Sequence, residues 1–391
     1  MKRALIYFTK FDSALGGGEY LPLLMARELQ KSHAVTLALD WASDVPRAAR
    51  TLGIDLDTDR LAVVVLKPKA RLLRRIDAAF PVFSTRRLQR LARRADICLS
   101  AANPADFGKS AHHFVYLLRT IGDTAFRDFL AHAPAKTSLA RLRRRARAFL
   151  ADKILRPLLG VRSTRQILAD PRERIYPPSR YVETVMTDFY GPFRSEVFYP
   201  PTVFAPEGVA ATRDPLKVVY IGQIFPEKKV AEIIAIVERA RAATGLGLTL
   251  ALAGPIRETP YAAHIRALVA ARPWATLVGG VYGSDKAAFL ASGTYALHAE
   301  RDEAFGISVT EYLKAGAVAI VPDEGGTAEI VDTPDLAYRT DDDAVRILVR
   351  LLTDDGFRAA QQRHCAARAR RFAFDAYAAS QTRLLERIVR P

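Results

Sequence analysis

The chain has 391 residues, half of them hydrophobic, with two cysteines and a formal net charge of +16. Such a length and apolar content suit two domains of ordinary size, each with its own core. Two lone cysteines, Cys98 and Cys365, exclude a disulfide scaffold or a cysteine-held metal cluster and point to a reduced, cytoplasmic setting; no apolar run approaches the roughly 20 residues of a membrane-spanning helix.

Met1, Lys2 and Arg3 lead directly into Ala-Leu-Ile-Tyr-Phe. That run is too short for the apolar core of a signal peptide, so residues 3–9 read as a first central strand. A loop over 11–18 ends in Gly16-Gly17-Gly18-Glu19, ahead of a helix over 20–31. A glycine-rich turn between a first strand and a first helix is where an α/β sheet brings its backbone close to a ligand. The spacing is not that of a dinucleotide fingerprint. Residues 33–40, 61–66, 96–100 and 113–118 read as further strands. Their alternation with helices predicts a parallel, doubly wound sheet.

Residues 137–150 form a candidate helix with Leu139, Leu142, Ala146, Phe149 and Leu150 on one side and arginines over much of the rest. Such a helix suits either an anionic bilayer or the face of a sheet. Residues 174–182 and 196–201 close the first domain. Pro200, Pro201, Pro206 and Gly208 mark a linker near 204–213.

The second domain opens on a strand over 216–222, a turn from Gln223 to Lys229 and a helix to Thr244. Strands at 248–254, closing on Gly254, and at 275–281 come next, then a short helix at 285–291. A short apolar run at 295–297 leads into an acidic loop that ends Glu303-Ala304-Phe305-Gly306. A helix over 307–314, a buried strand over 317–321 and a helix opened by Gly325 and Gly326 succeed it. Helices over 341–352, 355–371 and 376–389 complete the chain.

The charge is uneven. Residues 1–200 hold 35 Lys and Arg against 19 Asp and Glu, and the remainder holds 23 of each. The densest blocks are 67–75, 86–94 and 141–147. A face of that kind suits nucleic acid, an anionic membrane surface or a phosphate-bearing substrate, and solvated Arg-rich helices are the plainer alternative. The aromatic-interleaved basic motifs of nucleic-acid binders are missing, which argues against that partner.

Two carboxylates stand out. Glu303 precedes the 307–314 helix and Glu311 lies on it. The first amides of that helix, at Phe305, Gly306 and Ile307, sit at the positive end of its dipole, a ready site for a diphosphate. A carboxylate beside an anion site makes sense if it binds the hydroxyls of a sugar or ribose. The alternative is an ordinary βαβ unit with two solvent-facing acids.

Glu303 and Glu311 in E-A-F-G-I-S-V-T-E resemble the E-x7-E signature of retaining glycosyltransferases of family 4. The A-G-x-x-x-I-V-P and G-G-x-x-E-I-V segments beyond it, with Gly325, Gly326 and Glu329, extend the likeness. The resemblance implies a GT-B fold: two Rossmann-like domains facing a cleft, with a final helix crossing back. It divides the chain into an acceptor domain over 1–205, a nucleotide-sugar domain over 206–372 and a returning helix over 373–391.

In that family the first Glu holds the hexose, the second the ribose hydroxyls, and a charged pair clamps the diphosphate. The resemblance therefore makes Glu303 and Lys228 catalytic. It assigns Gly17, Gly18, Gln223, Lys229, Gly254, Phe305, Gly306, Ile307, Glu311 and Gly326 to the donor. Gln223 departs from the family's Arg, and Leu118 stands where a first-domain His is often found; His112 and His113 lie at the other end of that strand. These two departures make a partner subunit without catalysis an alternative, and a GT-B epimerase or sucrose-type synthase is another.

Q-x-x-P-E-K, the G-G-G-E loop, V-x-Y-P-P and H-x-x-x-x-E-x-F-G together resemble the branch that holds the α-1,2-mannosyltransferase of dolichol-linked oligosaccharides. They imply GDP-mannose as donor, with a UDP-hexose as the alternative. No cofactor or metal is implied, since no Asp-x-Asp or His cluster suggests one. The expected partners are a nucleotide-sugar, a glycan or lipid-linked acceptor and an anionic membrane surface, at the cytoplasmic face.

Overall fold

The computed structural model describes residues 1–11, 17–73, 77, 81–115, 121, 126, 154, 156–204 and 212–389. The chain forms two compact units, Met1–Pro200 with Ala379–Pro391, and Pro201–Ala378. The expected helix over 137–150, the basic block at 141–147, Leu118, and linker residues Pro206 and Gly208 lie outside the described residues.

The first unit is built on six parallel strands: β1 (Lys2–Phe8), β2 (His33–Leu39), β3 (Ala62–Val65), β4 (Ile97–Ser100), β5 (His112–Phe114) and β6 (Arg174–Tyr176). Their order in the sheet is β3-β2-β1-β4-β5-β6. Ala4, Leu5, Ile6 and Phe8 of β1 are all buried, as a central strand covered on both faces requires. β1 pairs with β2 from Lys2 opposite His33 to Phe8 opposite Leu39. The helix Arg180–Tyr190 begins where Ser179 Oγ accepts from the Val182 amide at 3.1 Å, which satisfies one of its orphan donors. Residues of the final helix, Phe374–Val389, return to this unit, and Arg387 pairs there with Glu196 at 2.6 Å.

The second unit repeats the winding. Strands β7 (Asp214–Ile221), β8 (Thr249–Ala253), β9 (Ala275–Gly279), β10 (Gly293–Leu297), β11 (Val318–Pro322) and β12 (Ala337–Tyr338) lie in the order β12-β11-β10-β7-β8-β9. Read from β9, this is the order of the first sheet. In each sheet the winding reverses between the first and fourth strands of the set, β1 and β4 or β7 and β10. A doubly wound sheet leaves its crevice at the carboxyl ends of those two strands.

Two glycines end the strands on the β7 side of that crevice. Gly279, at φ 86°, ends β9 sooner than the apolar pattern to Val281 suggests, and its carbonyl accepts from the Gly254 amide at 2.7 Å. Gly254, at φ 150°, ends β8 so close to β7 that a Cβ there would sit 1.8 Å from the Gly222 carbonyl oxygen. A backbone oxygen cannot move aside as a side chain can. Gly254→Ala is therefore expected to destabilise the protein by about 3 kcal/mol or more, from overpacking and a disallowed backbone combined. A denaturant midpoint within error of the unsubstituted protein would show that the two strand ends can part.

Among the described residues, no helix is long and apolar enough to cross a membrane.

Candidate active site

β7 and β10 are neighbours in the second sheet, with Tyr295 opposite Val218 and Ala296 opposite Val219. The segments leaving their carboxyl ends are therefore brought together. After β7 come the exposed Gln223 and the 3-10 turn Pro226–Lys228. After β10 come His298, Glu300 and Glu303. Lys228 Nζ meets Glu303 Oε2 at 2.5 Å and also contacts Glu300. One ligand-type atom each from His298, Glu300 and Glu303 lie within 4.8 Å of one another. The cation that touches both carboxylates is the Lys228 ammonium.

The electrostatics arise from one cation serving two acids. Burial disfavours the charge on Lys228, but Glu303 and Glu300 outweigh it and raise the ammonium's pKa. Burial also disfavours the Glu303 carboxylate, yet Lys228 holds it well below the usual carboxylate range. Burial and the neighbouring Glu303 push Glu300 up to about 7. Burial brings the His298 imidazole down to about 4, so it is neutral, and among the described residues neither ring nitrogen has a hydrogen-bond partner. Its Nε2 stops 3.8 Å short of Glu303 Oε2.

The loop that carries Glu303 rests on Gly325 and Gly326. A Cβ on Gly325 would lie 2.4 Å from the Arg301 carbonyl, and one on Gly326 would lie 2.4 Å from that of Ala304. The Gly326 amide donates to the Glu303 carbonyl at 2.8 Å. Gly326, expected to contact the donor, is thus buried beneath the loop and shapes it from below. The Phe305 ring is core, edge-on to Phe372 at 5.8 Å, so the donor contact expected of Phe305 would fall to its backbone. Gly306, at φ 99°, caps the helix Ile307–Lys314; a Cβ there would meet Thr327 Cγ2 at 2.5 Å. The helix begins four residues after Glu303, so its orphan amides follow that carboxylate closely in the chain.

Glu311 lies on that helix, buried, with Lys286 Nζ 2.5 Å from its Oε1. Burial raises its pKa and Lys286 works in the opposite sense. Lys286 comes from the helix Gly283–Ala291 and also lies 5.6 Å over the Phe204 ring. Lys229 occupies a left-handed position, φ 50°, at the head of the helix Val230–Thr244. Such a conformation in a lysine costs on the order of 1 kcal/mol.

Gly17 and Gly18 belong to the first unit, in a 3-10 turn, Gly17–Glu19, that leads into the helix Tyr20–Leu29. His113 is fully buried there. Its Nε2 bonds Glu173 at 2.9 Å, and Glu173 in turn accepts from Arg162 Nη2 at 2.8 Å. His112 pairs with the Tyr176 hydroxyl at 3.0 Å, and burial lowers its pKa to about 4. Both histidines have structural partners.

Sequence reasoning missed Glu300 and Lys286 as members of the site. Glu300 stands in the same acidic loop as Glu303, but only Glu303 has the spacing to Glu311 that draws attention. Lys286 has no local signal at all, because a tertiary contact alone brings it to Glu311.

The comparisons with known proteins agree with this fold. The family model described as Glycosyl transferases group 1 matches residues 206–372. The match falls within the second unit. WaaG, a glycosyltransferase involved in lipopolysaccharide biosynthesis, superposes with a TM-score of 0.65 at 15% identity, over 97% of this chain and 99% of its own. HepE from Anabaena, solved with UDP and glucose, gives 0.65 at 14% identity over 99% and 100%. The pneumococcal O-GlcNAc transferase GtfA, solved with UDP and GlcNAc, gives 0.64 at 9% over 100% and 99%. At these identities the likeness is one of fold, and the fold is GT-B. None of the curated proteins is similar enough in sequence to match.

Proposed function

We propose that the chain is a retaining, metal-independent glycosyltransferase that moves a hexose from a nucleotide-sugar to an acceptor hydroxyl. The observation that carries this reading is the Lys228 ammonium set against Glu303 at the switch point of a group 1 domain, beside the amino end of the helix Ile307–Lys314. A cation and a helix amino terminus bind a diphosphate, and a carboxylate between them binds sugar hydroxyls.

In this reading Glu303 orients the hexose and Glu311 takes the ribose. The bond between C1 and the diphosphate oxygen breaks while the acceptor oxygen bonds C1 from the same face. The acceptor's proton passes to the departing phosphate. Charge grows on that phosphate as the bond stretches, so Lys228 and the Phe305–Ile307 amides gain strength on the way to the transition state. Gln223 adds only a neutral amide where the resembled family has an arginine; Lys229, next to Lys228, supplies a second positive charge.

The donor is GDP-mannose by the motifs shared with the mannosyltransferase branch. HepE, solved with UDP-glucose, favours a UDP-hexose as the second reading. The basic first unit supports a lipid-linked acceptor at an anionic membrane surface, and WaaG's part in lipopolysaccharide biosynthesis is in keeping with that. The test monitors nucleoside diphosphate release from GDP-mannose and UDP-glucose by NMR, with the configuration of the transferred sugar as the readout. An α-linked product from an α-linked donor supports the reading, and a β-linked product removes it.

Glu311→Ala removes the ribose contact and leaves Lys286 without its carboxylate. A hydrogen bond to a charged group is worth about 1.5–3 kcal/mol, so the donor KM should rise by about ten- to a hundredfold with kcat little changed. An unchanged KM would remove Glu311 from the donor site.

A further inference from the structure

We propose that Glu300 is a positioning residue for Lys228: ionised, it holds the ammonium between itself and Glu303, and protonated, it releases the ammonium to the phosphates of an incoming nucleotide-sugar. This rests on the donor reading above and adds a residue and a control that the reading does not contain.

Charge balance sets the behaviour of the trio. Lys228 touches both Glu300 and Glu303, and the side chains of the two acids are only 9% and 21% exposed. With both acids ionised, the trio carries a net negative charge in a largely buried place, beside the position proposed for a diphosphate. With one proton added, the trio is neutral. Two other titratable groups near Glu300 do not alter the sum. His298, from the end of β10, is neutral, and Tyr220, from β7, keeps its phenolic proton because burial raises its pKa far above the ordinary value.

Glu300 is the acid that takes the proton. Burial and Glu303 favour its neutral form, whereas Lys228 keeps Glu303 ionised. An arriving diphosphate brings further negative charge and draws on the same ammonium, which favours the protonated form of Glu300 again. Below neutral pH the proton is already present and donor binding leaves it unchanged. Above neutral pH the donor has to bind together with a proton. Linkage then fixes the sign: affinity is highest below pH 7 and declines as the pH rises through and above it.

The test is calorimetric titration of the full chain with GDP-mannose and with UDP-glucose, near pH 6 and near pH 8.5. It is run in two buffers of unlike ionisation enthalpy so that proton uptake is measured directly. The diphosphate of a nucleotide-sugar does not itself titrate in that interval. The expected result is uptake of nearly one proton near pH 8.5 and little near pH 6, with affinity lost at up to about tenfold per pH unit above pH 7. E300Q, which fixes the neutral form, is expected to bind with one affinity at both pH values and no uptake. Affinity independent of pH in the unsubstituted protein, or uptake that persists in E300Q, overturns the proposal and leaves the donor reading intact. Absence of binding by either nucleotide-sugar at both pH values overturns the two together. If E300Q does not fold, proton uptake by the unsubstituted protein decides the matter alone.

Discussion

Lys228→Met is expected to lower kcat/KM for the donor by about a thousandfold. Removing one preorganised donor aimed at developing charge typically costs about 10²–10³ in rate, and Lys228 carries a full charge where other donors carry a partial one. Stability should change as well. Lys228 is the cation that touches both Glu300 and Glu303, so its loss leaves two largely buried carboxylates facing each other. Breaking a buried pair costs about 3–5 kcal/mol, and with the lysine side chain a quarter exposed the lower end applies, about 3 kcal/mol. The partners set the sign with pH. Without the ammonium both acids gain affinity for protons, and acidification relieves their repulsion. The loss of stability should therefore be greatest above neutral pH and shrink below it. Denaturant unfolding near pH 6 and pH 8.5 checks this; an equal loss at both would mean that Lys228 does not balance these acids.

Glu303→Ala separates catalysis from stability. As the proposed holder of the hexose, Glu303 should matter most when the sugar approaches its charged, flattened transition state. Turnover is expected to drop by about 10²–10³, with the donor KM changed far less. Stability should hold or rise slightly, because the substitution removes one of two acids that compete for one lysine. Functional sites often combine such electrostatic strain with activity. Lys2→Ala, at an exposed position far along the sequence from the second sheet, serves as the control and should leave turnover unchanged. Full activity in Glu303→Ala would take the sugar-binding role away from that residue.

The parts of the fold that local physics controls are legible in the sequence. The helix Ile307–Lys314 matches the predicted 307–314, since Gly306 in a left-handed turn starts it and Gly316, at φ 80°, lies just past its end. Strands are legible as apolar runs, and their ends are less so because glycines such as Gly279 stop them without regard to hydropathy. The alternation of strands and helices predicts a doubly wound order, and the structure adds that both sheets share it. That shared order explains why residues after β7 and β10 meet. The family resemblance supplies Lys228 and Glu303 as separate functional residues. It does not show that they form one ion cluster, since they stand 75 positions apart and only the pairing of β7 with β10 closes that gap. Glu300 is hidden for the same reason. An acid in an acidic loop has no local mark that distinguishes it, and its position beside a buried lysine is a tertiary fact.

Binding of a nucleotide-sugar through Lys228, at the carboxyl edge of the second sheet, is best checked by thermal shift. The panel is GDP-mannose, GDP, UDP-glucose, UDP-GlcNAc and UDP against the unsubstituted protein and Lys228→Met. A ligand at 100 times its dissociation constant stabilises the protein that it binds by about 2.7 kcal/mol, a shift in Tm of several degrees or less for a chain of this size. The expected result is a shift with nucleotides of one base, guanine for the mannosyltransferase reading or uracil for the alternative, and its loss in Lys228→Met. No shift with any nucleotide, or one of equal size in Lys228→Met, would refute this mode of binding.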